Sequence, residues 1–174
     1  MTNEKKVTGL FGGKRLLYIA IALIALTGGL LSQSLVNPPS SSGFTTSDGQ
    51  THTWDELQGR WVIINYFAPW CAPCLREVPQ LNAFYRQNNE RVQLFAINYD
   101  PATRQEVAAL KQQHNMQFPV IVATPDTGLP VSAPPALPAT YIINPQGQVS
   151  QRLLGEVTVE RLHQALNSAG LQPL

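Results

Sequence analysis

The sequence predicts an α/β domain with a mixed central sheet flanked by helices, carried behind a single N-terminal transmembrane helix. Three observations lead there. Leu16 to Val36 is a run of 21 residues without a charge. Residues 60–123 alternate β-rich apolar runs with stretches of helical periodicity, and two further β-rich runs near the C-terminus are joined by a tight turn. A length of 174 residues, with 44% hydrophobic and 13% charged, fits one core and a short appendage.

As a helix, the uncharged run covers a hydrocarbon core of roughly 30 Å. Lys5, Lys6, Lys14 and Arg15 precede it, and the next charge after it is Asp48. The positive-inside bias puts residues 1–15, a basic tip, in the cytoplasm and everything after Val36 outside. A cleavable signal peptide is the alternative. Its apolar region would run to roughly 7–15 residues and end in a small-x-small site, and neither condition is met well here. A soluble core helix would show a polar face. The expected location is the inner membrane, crossed once at residues 16–36, with the folded domain on the periplasmic, extracytoplasmic side. With the tip and Glu4 set apart, 8 basic residues stand against 10 acidic ones. Without a Lys/Arg cluster, such a body is not expected to bind nucleic acid.

Residues 37–43, NPPSSSG, combine proline, serine and glycine and predict a flexible linker; the folded domain is expected over residues 44–174. Phe44 to Thr53 alternates around Asp48-Gly49, a dipeptide suited to a hairpin turn. After a short helical turn at Trp54 to Gly59, Arg60 to Phe67 reads as a strand buried on both faces, and therefore central. Leu75, Val78, Leu81 and Phe84 give Pro73 to Asn88 a helical spacing, with Pro79 expected to bend it. Val92 to Tyr99 predicts a second strand, Thr103 to His114 an amphipathic helix, and Phe118 to Ala123 a third strand. That alternation implies parallel β-α-β pairing. Residues 124–138 carry five prolines and predict an irregular loop, of a length that is often functional. Thr140 to Asn144, the turn at Pro145-Gln146-Gly147 and Val149 to Leu154 complete an antiparallel hairpin, and a closing helix runs from Thr158 to Ala169.

Only two cysteines occur, Cys71 and Cys74, and they fall at the predicted junction of strand and helix. A structural disulfide acts chiefly by closing a long loop, and residues three apart close almost none. A reactive pair explains the placement better. Unpaired N–H groups and the dipole at a helix N-terminus favour a thiolate, so Cys71 is expected to attack and Cys74 to resolve. A zinc or copper site would need two further ligands, whereas His52, His114 and His163 are isolated and read as surface or capping residues. Neither metal nor cofactor is called for. Disulfides persist in the outer compartment, where a redox role makes chemical sense.

The segments RWVIINYF, APWCAPC, LREVP and, about sixty residues on, LPATYIINPQG together resemble the thioredoxin superfamily. Within it, the CxxC followed by xxExP, and the Pro-x-Thr-aromatic segment before an Asn-Pro-x-Gly turn, resemble membrane-tethered reductases of the TlpA/ResA type. The resemblance covers roughly Phe44 to Gly170. It implies a thioredoxin fold, and it places the family's cis-proline, which pairs with the substrate chain, at Leu137-Pro138. The alternative is one turn proline among many. It also implies that Trp70 contacts the disulfide region, where a buried core tryptophan is the other option. Glu77 matches the acidic residue of xxExP and sits one turn after Cys74. It is either a proton relay to that cysteine or a solvated surface carboxylate.

Two positions depart from pattern. Asn65 stands six residues before Cys71, where typical thioredoxins have a buried aspartate, which leaves Glu77 as the available proton carrier. Ala139 follows the proline where cytochrome c assembly reductases often carry an acidic residue, which weakens that specific assignment.

Neither Ala72 nor Pro73 can donate a charge-assisted hydrogen bond to a Cys71 thiolate. The pair is therefore expected nearer thioredoxin than DsbA on the roughly 150 mV between them. The predicted activity is reduction of disulfides in exported, cysteine-containing proteins, apocytochrome c among them, with electrons from a membrane thiol donor that the resemblance implies. A disulfide-forming oxidant and a metal- or partner-binding module of the same fold stay open. A peroxidase would need a Thr and an Arg around a lone cysteine, which the sequence does not place.

Overall fold

The computed structural model describes residues 42–172; the predicted basic tip, transmembrane run and most of the linker lie outside them. Among the described residues no helix is long and apolar enough to cross a membrane. One sheet of seven strands, in the order β2-β1-β5-β4-β3-β6-β7, organises the domain. Its strands are β1 (Gly43–Thr46), β2 (Thr51–Thr53), β3 (Trp61–Phe67), β4 (Val92–Asn98), β5 (Val120–Val122), β6 (Ala139–Ile143) and β7 (Val149–Leu154). The helices are α1 (Trp54–Leu57), α2 (Ala72–Asn88), α3 (Arg104–Gln113) and α4 (Val159–Ala169). β3, β4 and β5 pair in parallel, as strands joined by helical crossovers do, while β6, β7, β1 and β2 join antiparallel. The sheet is mixed and the predicted elements are present.

Differences from the sequence expectation concern boundaries and have local causes. Gly43 belongs to β1 rather than to a linker; a Cβ there would collide with the His52 carbonyl, so the strand approaches its partner too closely for any side chain. The third parallel strand shrinks to Val120–Val122, because Pro119 has no N–H for the ladder. Thr103 and Thr158 turn out to be N-caps of α3 and α4, their hydroxyls accepting from Glu106 N and Arg161 N. At the hairpin turn, Gly49 takes φ +89°, which only glycine adopts freely.

Seven consecutive residues of β3 are buried, and their period of two divides the core. Ile63 and Phe67 face Val78, Leu81, Phe84 and Leu162 of α2 and α4. Val62, Ile64 and Tyr66 face Phe44, Leu57, Phe95 and Tyr141 on the opposite side. Asn65 therefore points to the side of α2. α2 is tied to the chain beyond α3 by a buried Asn82, which donates to Asn115 O and accepts from Gln117 N, both at 2.8 Å. Asn82→Ala is expected to cost about 3 kcal/mol, since it strands two backbone groups. A fall in the urea midpoint at unchanged m-value would report it.

Candidate functional site

β3 ends at Phe67, and Cys71 occupies the N-cap of α2 with Pro73 in the helix's first turn, where a missing N–H costs nothing. The cap acceptor is the sulfur itself: Cys74 N donates to Cys71 Sγ at 3.3 Å. Cys71 and Cys74 form a disulfide with their Cα atoms 5.3 Å apart. Both are buried, but unequally in kind. Cys71 lines an open groove of about 550 Å³, whereas Cys74, 1% exposed, lies in the core beside Val78.

The Cys71 groove has apolar walls. Trp70 and Tyr99 stand edge to face on one side, their ring centroids 6.5 Å apart, and Pro134, Pro135, Ala136 and Leu137 of the proline-rich loop form the other. Trp70 is 64% exposed, which excludes a buried core tryptophan. Its indole Nε1 donates to Asp100 Oδ2 at 2.6 Å, fixing the ring beside the disulfide. The Leu137–Pro138 bond is cis, and Pro138 O accepts from Gly155 N at 2.9 Å. Leu137 is half-buried and reaches both halves of the core from the groove. Five predicted site residues, Trp70, Cys71, Cys74, Leu137 and Pro138, thus gather at one end of the sheet.

Glu77 lies behind Cys74. Residues three apart on a helix have Cβ atoms about 5–6 Å from each other, and Glu77 is 1% exposed, which excludes a solvated surface carboxylate. Its oxygens are held separately: Oε1 accepts from Asn65 Nδ2 and Oε2 from Val157 N, each at 2.8 Å. Burial pushes its pKa from 4.5 up to about 7, against the lowering effect of those two hydrogen bonds. Asn65 also donates to Thr140 Oγ1 at 3.1 Å, the residue directly opposite it on β6.

Sequence reasoning missed Tyr99, Asp100, Thr140 and Val157. Tyr99 had a signal, an aromatic at the end of a strand that leads into a polar turn; the contact of Val157 N with Glu77 had none, since 80 residues separate them. All three histidines are half-buried, and the capping role expected from sequence holds for His114. His52 packs on Phe44 and Phe95, His163 on Phe84, and His114 closes α3 as its C-cap. Among the described residues, no three His, Cys, Asp or Glu side chains converge as a metal site.

The AhpC/TSA family model matches residues 39–152, well over half of the chain. The chain belongs to the AhpC/TSA family. Within that thioredoxin-superfamily frame it is similar to "Thiol-disulfide oxidoreductase ResA" of Geobacillus thermodenitrificans (strain NG80-2), 29% identical over 128 residues, which are 72% of this chain and 73% of that protein. The protein of the same name from Bacillus subtilis (strain 168) is 27% identical over 122 residues, 70% of this chain and 68% of its own. Among solved structures, StoA from Bacillus subtilis superposes with a TM-score of 0.60 at 21% identity, covering 71% of this chain and 93% of that one. The exposed lipoprotein thioredoxin Etrx1 from Streptococcus pneumoniae strain TIGR4 does so with 0.64 at 16%, covering 72% and 97%. These structures establish the thioredoxin-like fold. With a disulfide-forming CxxC pair at a helix N-terminus, the chain carries out thiol–disulfide exchange, as its sequence relatives are named for doing.

Proposed function

We propose that this chain is an extracytoplasmic protein-disulfide reductase, held to the inner membrane by residues 16–36, with Cys71 as nucleophile and Cys74 as resolving thiol. In the reduced enzyme, Cys71 thiolate attacks one sulfur of a substrate disulfide. A Cys71–substrate disulfide forms and the other substrate sulfur leaves as a thiolate. Cys74 then gives its proton to Glu77 and attacks Cys71 Sγ, releasing the second substrate thiolate. Two electrons have passed to the substrate, both of its sulfurs take up protons, and the Cys71–Cys74 disulfide remains. A membrane thiol donor must reduce that disulfide again.

The observation that carries this assignment is the unequal setting of the two sulfurs, one on an open apolar groove and the other in the core beside a buried carboxyl. Backbone N–H from Cys74 is the donor to Cys71 Sγ. Neither Ala72 nor Pro73 adds charge to a thiolate, which favours a reducing couple. Substrates are cysteine-containing exported proteins, apocytochrome c among them; Ala139 after the cis-proline supports a broader range than that one client.

The test is the equilibrium reduction potential of the full chain, set against glutathione and dithiothreitol buffers. A value within about 30 mV of thioredoxin's, roughly −270 mV, is expected. One near −120 mV would overturn the reductase assignment and make the chain a disulfide donor.

A further inference from the structure

Asn65 sits where its amide can satisfy Glu77 in either protonation state, and this inference rests on the relay role just given to Glu77. In the present arrangement both hydrogens of Asn65 Nδ2 are engaged, one by Glu77 Oε1 and one by Thr140 Oγ1. Such a pattern suits an ionised carboxylate, which only accepts. When Glu77 takes up a proton, one oxygen becomes a donor. Oε2 faces Val157 N, a fixed backbone donor, so the proton belongs on Oε1. There it would meet Nδ2, donor against donor, in a site closed to bulk solvent: Asn65 is 1% exposed and Thr140 fully buried.

Turning the Asn65 amide over resolves the conflict. Oδ1, with two lone pairs, then faces Glu77 Oε1–H, and it faces Thr140 Oγ1, whose hydroxyl can rotate from accepting to donating. Glu77 and Thr140 each keep a hydrogen bond to the amide in either state. An aspartate at position 65 could not do this, because it has no donor for the ionised form and would place a second negative charge beside the first. We propose that Asn65 is the positioning residue for Glu77, its amide turning over, in step with the Thr140 hydroxyl, each time that carboxyl gains or loses its proton. The charged groups around the site lie elsewhere: Glu156 in the turn after β7, paired with Arg76, and Arg161 on α4 act on Glu77 only as charges, and β3 and β6 present only Asn65 and Thr140.

Nitrogen-15 NMR of the full chain, oxidised, tests this without any substitution. Across pH 5 to 9 the Asn65 side-chain amide resonance is expected to move with the same midpoint as the Glu77 carboxyl carbon. It should be pH-independent in Glu77→Gln. An Asn65 resonance that stays still while Glu77 titrates in the native protein overturns the proposal. Variants add a second readout. Thr140→Val strands one amide hydrogen in the ionised arrangement alone, so the Glu77 midpoint should rise by about one pH unit, and Thr140→Ser should restore it. Equal midpoints in all three proteins would also overturn it. If Asn65 turns over as expected while Glu77→Gln leaves the pH profile of thiol exchange unaltered, the relay role has failed and the coupling of Asn65 to Glu77 has not.

Discussion

Cys71→Ser is expected to lower the rate of disulfide reduction on the order of 10³-fold or more, the scale of losing a nucleophile, whereas Cys74→Ser should stop the reaction half-way. The two substitutions differ because the groove reaches one sulfur only. Cys71 lines it beside Trp70 and Leu137, so an incoming disulfide meets that sulfur first. Cys74 is closed off by the core and can reach only Cys71 Sγ, to which it is already bonded in the oxidised form. A serine at 74 therefore leaves attack intact and removes resolution, and the enzyme should accumulate as a mixed disulfide. Mass spectrometry after incubation with a disulfide-bonded reporter peptide would show the enzyme plus one peptide chain for Cys74→Ser, and no adduct for Cys71→Ser. Adduct on Cys71→Ser and none on Cys74→Ser would reverse the assignment of nucleophile and resolving thiol.

What the sequence made legible follows from range. β3 announces itself through six apolar or β-favouring residues out of seven, and α2 through a helical repeat, because both signals lie within one element. The Cys71/Cys74 pair was legible for the same reason: a spacing of three at a strand–helix junction is local chemistry. Trp70 and Glu77 were visible as candidates, but their settings were not. Whether Glu77 is solvated depends on α4 and on the turn carrying Val157, which pack over α2 from 80 residues away, and no periodicity in α2 reports that cover. Trp70 is exposed because β3 has ended and the chain has turned out of the core before reaching α2; Asp100, just beyond the neighbouring strand, then catches its indole. Asn65 shows the limit most directly. Its place in a buried run makes it conspicuous as a polar residue, yet only the antiparallel register with β6, which sets Thr140 opposite, gives the amide its second partner.

Replacing Glu77 by Gln is expected to remove most of the pH dependence of stability between pH 4.5 and 8. Burial holds the folded carboxyl at about 7, above its ordinary 4.5. The folded state therefore binds the proton more tightly than the unfolded chain, and stability must fall as pH rises through this window. The contribution is fully present below pH 4.5 and lost above about 7, and at 1.36 kcal/mol per pH unit it amounts to about 3 kcal/mol. Glutamine keeps the shape and the acceptor for Val157 N but cannot ionise, so urea midpoints of the oxidised variant should be nearly level across the window while those of the native protein decline. The same substitution bears on the chemistry. Without a carboxylate to take its proton, Cys74 resolves the mixed disulfide at a rate that climbs tenfold per pH unit with hydroxide, where the native rate bends near pH 7. A loss of roughly 10²-fold at neutral pH is expected, within the range for a positioned general base. Native and Glu77→Gln proteins whose stabilities decline in parallel would show that Glu77 is already ionised near its ordinary value. A Gln variant with a level stability profile and an unchanged rate would instead leave Glu77 as a buried acid without a part in the proton transfer.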